Sequence, residues 1–299
     1  MAEWGLVTTV KAPEDQVLAF LAHHLSLGAS HIWVYFDDPD DPAFAAVTGL
    51  PRVTATRCTA AHWQACGGRH DRHQNRQSRN AKEAQRACDL PWLGHIDVDE
   101  FLWPARPLAT LLDEQDDATL LLRMEPFEAM HDPTLPDDIF TARQFRGPLR
   151  DAQKELRPPV LGLYRSILPK GNLSHAVGKS FCRPGVKGMA LRLHGAFLNG
   201  QRLEADFTRD LPLLHFHAQD RGAWLAALPF RLTRGAYQYH AELQAHLLGA
   251  TPDMVQHLYD NTQILTDEKA ALLHAEGRLI TADLGLRAKV AALREGRLP

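Results

Sequence analysis

Two carboxylates one residue apart stand at the end of an apolar run. Pro91-Trp92-Leu93-Gly94 leads into His95-Ile96-Asp97-Val98-Asp99-Glu100-Phe101-Leu102-Trp103-Pro104. The apolar run reads as the end of a buried strand. On an extended backbone, residues two apart point to the same side, so Asp97 and Asp99 are expected to face one hard cation together. A divalent ion with carboxylate ligands and open positions is a usual way to hold a diphosphate. A solvated acidic turn after a strand is the plainer alternative, and Asp-x-Asp alone does not choose between them.

The rest of the composition narrows the class. The chain has 299 residues, enough for one large α/β domain or two modest ones. A net charge of −3 gives no reason to expect nucleic acid as a partner. The 16 His are scattered, and the four Cys (Cys58, Cys66, Cys88 and Cys182) contain no Cys-x-x-Cys pair. Neither a zinc ribbon nor a thioredoxin motif is supported. Cys58 and Cys66 could join His residues around a zinc, with reduced thiols the simpler expectation. No leader pattern opens the chain and no apolar run reaches bilayer length, so a cytoplasmic, soluble protein is expected.

The elements that must position the Asp pair can be read in order. Trp4 to Val10 is apolar and β-branched and predicts a first strand. Pro13, Glu14 and Asp15 suit the first turn of a helix. Val17, Leu18, Leu21 and Leu25 then recur at helical spacing, and Gly28 suits its end. His31 to Phe36 predicts a strand covered on both faces, ending in the acidic turn Asp37-Asp38-Pro39-Asp40-Asp41-Pro42. Arg52 to Thr56 predicts a third strand, and 62–77 an exposed loop running into a helix. This alternation fits a parallel, doubly wound sheet, whose ligands sit at the carboxyl ends of the strands.

The order and spacing of these pieces resemble the family 2-type glycosyltransferases with the GT-A fold, closest to the subgroup related to family 92. The matching pieces are Lys11 to Glu14, Phe20-Leu21-Ala22-His23-His24, Val34 to Asp38, Gln77-Ser78-Arg79-Asn80 and His95 to Leu102. The resemblance covers about the first 105 residues. Looser matches are Gly178-Lys179-Ser180-Phe181-Cys182-Arg183-Pro184, then His194, then Leu213-Leu214-His215-Phe216-His217. Ala12 and Pro13 stand where the family usually has Asn, and the family's acceptor segment is replaced by Leu120 to His131.

The resemblance implies a Rossmann-like, mostly parallel α/β sheet flanked by helices and a nucleoside-diphosphate sugar donor, a UDP-sugar first among them, with a saccharide or glycan acceptor. It implies Mn²⁺ or Mg²⁺ at Asp97 and Asp99, with His194 or His215 as a further ligand. Lys11, Glu14, Asp37, Asp38, Arg79, Asn80, Asp97 and Lys179 would contact the nucleotide-sugar. Such enzymes invert the anomeric centre and need a carboxylate base. Asp99 and Glu125 are the catalytic candidates, Glu125 because it stands in an apolar run. Glu128, Asp132, Glu204, Asp206 and Asp220 are not excluded as the base.

Residues 1–220 are expected to form the catalytic domain and 221–299 a helical extension packed on it. Thr266 and Thr281 are expected to cap helices in that tail. The tail is also a surface on which a homodimer or a peripheral membrane contact could form. Two other functions fit parts of the sequence. A phosphohydrolase or phosphotransferase would use Asp97 as nucleophile, although Glu100 and Phe101 follow where a hydroxyl residue is usual. A catalytically degenerate sugar-binding protein would explain the altered Lys11-Ala12-Pro13-Glu14 segment.

Overall fold

A computed structural model describes residues 1–298 of the chain. The elements begin β1 (Trp4–Val10), α1 (Glu14–Ser26), β2 (His31–Phe36), α2 (Ala43–Val47), β3 (Val53–Arg57), α3 (Ala60–Ala65) and α4 (His73–Ala87). Next come β4 (Trp92–His95), β5 (Glu100–Leu102), α5 (Leu108–Asp113), β6 (Leu121–Ala129), β7 (Gln144–Arg146) and α6 (Arg157–Leu161). The short strands β8 (Lys179–Cys182), β9 (Met189–Arg192), β10 (Gly195–Leu198) and β11 (Gln201–Arg202) precede β12 (Phe207–His215). The chain closes with α7 (Arg221–Thr233), α8 (Ala241–Gly249), α9 (Pro252–Gln263), α10 (Asp267–Ala275), β13 (Leu279–Thr281) and α11 (Leu286–Arg294).

Contacts divide the chain into two units that interleave in sequence. Unit 1 is Met1–Glu125, Gly178–Leu213 and Gly285–Pro299; unit 2 is Pro126–Val177 and Leu214–Leu284. α11 shows one cause of the interleaving. Arg294 Nη2 lies 2.9 Å from Glu14 and 3.3 Å from Asp15 at the start of α1, and Lys289 Nζ donates to His23 Nδ1 at 3.0 Å. The last helix therefore belongs with the first.

Unit 1 is built on a mixed sheet whose parallel half is β4-β1-β2-β3. β8 joins β4 antiparallel, with His95 opposite Ser180, and the start of β6 joins β8 antiparallel. Trp4, Leu6, Val7 and Val10 of β1 are all at 0 % exposure, as a strand with both faces covered requires. β1 and β2 fall on the expected residues, and β3 begins one residue later than expected. β9, β10 and β11 form a small antiparallel sheet against α4, where Gln85 bonds Met189 O and Leu191 N, both at 2.9 Å.

Two sequence expectations change. The stretch expected as loop from residue 62 begins inside α3, where the Thr59 side chain caps the helix by accepting from His62 N. Thr281 ends β13 instead of capping a helix; α11 starts after Gly285, whose φ of 57° suits glycine. Unit 2 has its own core, centred on Trp224, Tyr237, Leu243, Leu258 and Tyr259. Asp220 caps α7 and Thr266 caps α10, the latter as expected.

The apolar stripe of α1 is buried as its spacing predicts, and His23 and His24 are buried with it. His23 Nε2–H donates to Leu102 O at 2.8 Å, and His24 Nε2 accepts from Leu102 N at 3.2 Å. The His-His pair thus holds both backbone groups of the residue that ends β5. Burial, helped by Lys289, pushes the His23 imidazole down to about 3, and burial holds His24 well below its ordinary value. The unfolded chain takes up this proton near pH 6.5 and the folded chain does not until far lower. Stability therefore rises with pH through that window and is lost on acidification. Between pH 7 and pH 5 the His23 contribution is a loss of about 2 kcal/mol. Urea unfolding should show His23→Gln losing less on acidification by about that amount; an equal loss in the variant would refute the assignment.

Candidate active site

The Asp pair sits on a turn. β4 ends at His95, Glu100 N donates to Asp97 O at 3.0 Å, and Glu100 Oε2 accepts from Asp97 N at 2.7 Å. The extended backbone expected for Asp97 and Asp99 is therefore corrected: Val98 and Asp99 form the turn, because the buried Glu100 carboxylate closes it from behind. The sequence argument that i and i+2 share a face does not apply across such a turn.

Lys179 anchors this turn. Its side chain is completely buried, with Nζ 2.6 Å from Asp97 Oδ2 and 3.4 Å from Glu100 Oε2. Gln77 Nε2 donates to the other Asp97 oxygen at 2.6 Å. Burial would raise the Asp97 carboxyl, but the charge and hydrogen bond of Lys179 override it and hold the carboxyl well below the usual carboxylate range. Burial works against the Lys179 charge in turn, and Asp97, Glu100 and Asp99 outweigh it and raise the ammonium. Gly178 makes this approach possible. Its φ is 75°, and a Cβ added there would lie 2.1 Å from Met124 O. The carbonyl of Gly178 accepts from His194 Nδ1 at 3.0 Å, and His194 lies near enough to favour the Asp97 charge.

A cavity of about 830 Å³ opens in the same unit at the carboxyl ends of β1, β2 and β3. Lys11, Asp37 and Asp38 line it, with Trp63, Gln64, Gly67, Gly68 and Arg69 from α3 and the loop after it. Asp37 is already engaged: Arg76 takes both of its oxygens at 2.6 and 2.7 Å, and Arg69 is 3.6 Å away. α4 joins this cleft to the Asp turn, since Arg76 reaches Asp37 and the adjacent Gln77 reaches Asp97. His73, one turn earlier, feels both carboxylates, although burial still lowers its imidazole.

The structure brings together Asp97, Asp99, Lys179 and His194, and separately Lys11, Asp37 and Asp38. Three expected nucleotide contacts lie elsewhere. Glu14 pairs with Arg294. Asn80 is at 0 % exposure on the inner face of α4, donating to Thr9 Oγ1 at 2.9 Å and accepting from His62 Nε2 at 2.9 Å. Arg79 does not line the cavity, and its Nη1 is buried without a hydrogen bond. Glu125 is half-buried in β6, one residue beyond the Met124–Lys179 pair. His215 belongs to unit 2, with Ser174 Oγ 3.1 Å from its Nδ1 and His175 and His217 beside its ring. Gln77, Arg76, His73 and Trp63 were missed by sequence reasoning. Helical spacing could have found the first three, since residues 73, 76, 77 and 80 share one side of a helix.

Replacing Lys179 by Met should leave Glu100 and Asp97 without their buried counter-charge. The expected cost is about 3–5 kcal/mol. Urea denaturation of Lys179→Met checks this, and a loss below about 1 kcal/mol, the worth of a surface pair, would refute the anchoring role.

No family model matches this chain, and no curated protein does. Among solved structures it is similar to CMP:2-keto-3-deoxy-manno-octonic acid synthetase complexed with CTP, at 17% identity and a TM-score of 0.27. That match covers 43% of this chain and 54% of the other, so the chain spans about half the length of that structure. HddC from Yersinia pseudotuberculosis matches at 9% identity and a TM-score of 0.30, over 48% of this chain and 68% of the other. Residues 1–349 of TarS from S. aureus match at 10% identity and a TM-score of 0.39, over 98% of this chain and 92% of the other.

Proposed function

We propose that this protein moves a sugar from a nucleoside-diphosphate sugar to a saccharide or glycan acceptor, with inversion and with Mn²⁺ or Mg²⁺. One observation carries the proposal. Through Arg76 and Gln77, α4 joins the cleft at the carboxyl ends of the parallel strands to the Asp97–Glu100 turn. A donor of this class needs both, a pocket for the nucleoside and a charged turn for the diphosphate.

The donor set suits a hard cation, because the carboxylates of Asp97, Asp99 and Glu100 outnumber the single ammonium of Lys179. Both Asp97 oxygens already accept short hydrogen bonds, from Lys179 and from Gln77. Direct contact with the metal accordingly falls to Asp99 in this proposal, with His194 beside it and Asp97 acting through water. When bound, the metal would stabilise charge on the departing nucleoside diphosphate. Lys11 and Asp38 would meet the nucleoside. Arg69 and the positive amino end of α4, four residues further on, would favour the diphosphate. Glu125 would take the proton of the acceptor hydroxyl. A UDP-sugar is the donor to test first.

The test is a thermal-shift screen of UDP, GDP, CDP and dTDP and their sugars, each with and without Mn²⁺. A ligand that binds only the folded state raises the melting temperature. One nucleotide should give a metal-dependent rise, and Asp99→Ala should abolish it while leaving the unliganded melting temperature unchanged. No metal-dependent rise with any nucleotide, or an undiminished one in Asp99→Ala, would overturn the proposal.

A further inference from the structure

A second constellation of donor atoms lies on the other side of α3. His62 and Cys66 are four residues apart, at the middle and the end of that helix, and so share one face. Glu83 comes to them from α4. One donor atom from each of the three residues lies within 4.8 Å of the other two. Cys66 Sγ is 3.4 Å from Glu83 Oε2, and His62 Nδ1 is 3.5 Å from that same oxygen. Ligands on a tetrahedral zinc, at its usual bond lengths to sulfur, nitrogen and oxygen, are separated by about 3.3–3.6 Å.

We propose that His62, Cys66 and Glu83 form a zinc site that clamps α3 to α4. The surroundings are built for it. The His62 side chain is only 8% exposed, and Asn80 Oδ1 lies 2.9 Å from its Nε2. Asn80 itself is fixed, because its amide nitrogen donates to Thr9 Oγ1 at 2.9 Å. Its oxygen therefore faces His62, Nε2 carries the proton, and the Nδ1 lone pair is turned toward Glu83. This is how a supporting residue orients a metal-binding imidazole. The Cys66 thiol donates to Glu83 Oε2 and lies 3.8 Å from His62 Nε2; once deprotonated, its sulfur, the Nδ1 lone pair and the Glu83 carboxylate would all be donors to one cation.

The mixture of thiolate, imidazole and carboxylate selects zinc over Mg²⁺, Ca²⁺ or Mn²⁺, which favour oxygen. Three protein ligands leave a fourth position for water, and the half-exposed Glu83 gives the ion a way in. On binding, the Cys66 thiol proton leaves to solvent and a sulfur–zinc bond replaces the S–H bond. The consequence reaches the cavity. α3 carries Trp63 and Gln64, and the loop after Cys66 carries Gly67, Gly68 and Arg69; all five line the cavity wall. A metal at Cys66 would fix that wall to the helix that bears Arg76 and Gln77. The site stands whether or not the sugar-transfer proposal holds.

Cobalt(II) tests it, because a cobalt–thiolate bond has its own charge-transfer absorption. The full, reduced, chelator-stripped chain should develop this band on titration with Co²⁺, saturate at one equivalent and lose the band to added Zn²⁺. Cys66→Ser should abolish the band. Glu83→Gln should weaken Co²⁺ binding at least about tenfold, the range that even a supporting residue commands. Zn²⁺ should raise the melting temperature of the wild type and not of Cys66→Ser. Should Cys66→Ser fail to fold, the wild-type titration and Glu83→Gln decide between them. No thiolate band in the wild type, a band that survives in Cys66→Ser, or Glu83→Gln binding as tightly as the wild type would overturn the assignment.

Discussion

The buried ammonium of Lys179 is the constraint on which the Asp turn depends. A lysine at 0 % exposure would lose its charge or unfold its surroundings without partners. Asp97 and Glu100 supply them, and Glu100 also binds the Asp97 N–H, so the turn and the charge hold each other in place. This arrangement changes the meaning of the Asp-x-Asp motif. One carboxylate is spent on structure, and the other stands on the tip of the turn with the surplus of negative charge around it. The two Asp are therefore not a pair of matched side chains: Asp97 is held by Lys179 and Gln77, and Asp99 sits on the turn itself.

Two helices transmit this arrangement to the rest of unit 1. α1 grips Leu102 at both backbone groups through His23 and His24, which fixes the strand leaving the turn. α4 grips the Asp97 side chain and the Asp37 side chain through neighbouring residues. His23, His24 and Arg76 make these bonds from buried positions, where a hydrogen bond is strong and a missing one is costly. α11 adds Lys289 behind His23, so the last helix of the chain supports the first. Cleft, turn and supporting helices are thus tied together by hydrogen bonds that run from α1 and α4.

Much of this frame was legible in the residues. The apolar runs of β1, β2 and β4 and the leucine spacing of α1 gave strands and helix to within a residue or two, because periodicity and burial are local properties of sequence. The position of the Asp pair after a buried strand was legible for the same reason. The looser match around Gly178 and Lys179 picked out the residue that turned out to be central, though its partner could not be read from spacing: Lys179 and Asp97 are 82 residues apart.

What the sequence determined by itself, then, was the parallel half of the sheet, the helix that joins its strands β1 and β2, and the residues that could carry charge chemistry. Only the tertiary structure decided which of those residues meet. Asn80 and Glu14 look like ligands in one dimension, yet one is buried against Thr9 and His62 and the other pairs with Arg294 from the far end of the chain. Gln77 stands in the matched Gln77-Ser78-Arg79-Asn80 piece with no role assigned to it, and it holds Asp97. The reason is physical. Helix and strand patterns are set by neighbours a few residues away, whereas the partner of a buried charge is chosen by desolvation, which depends on everything packed around it.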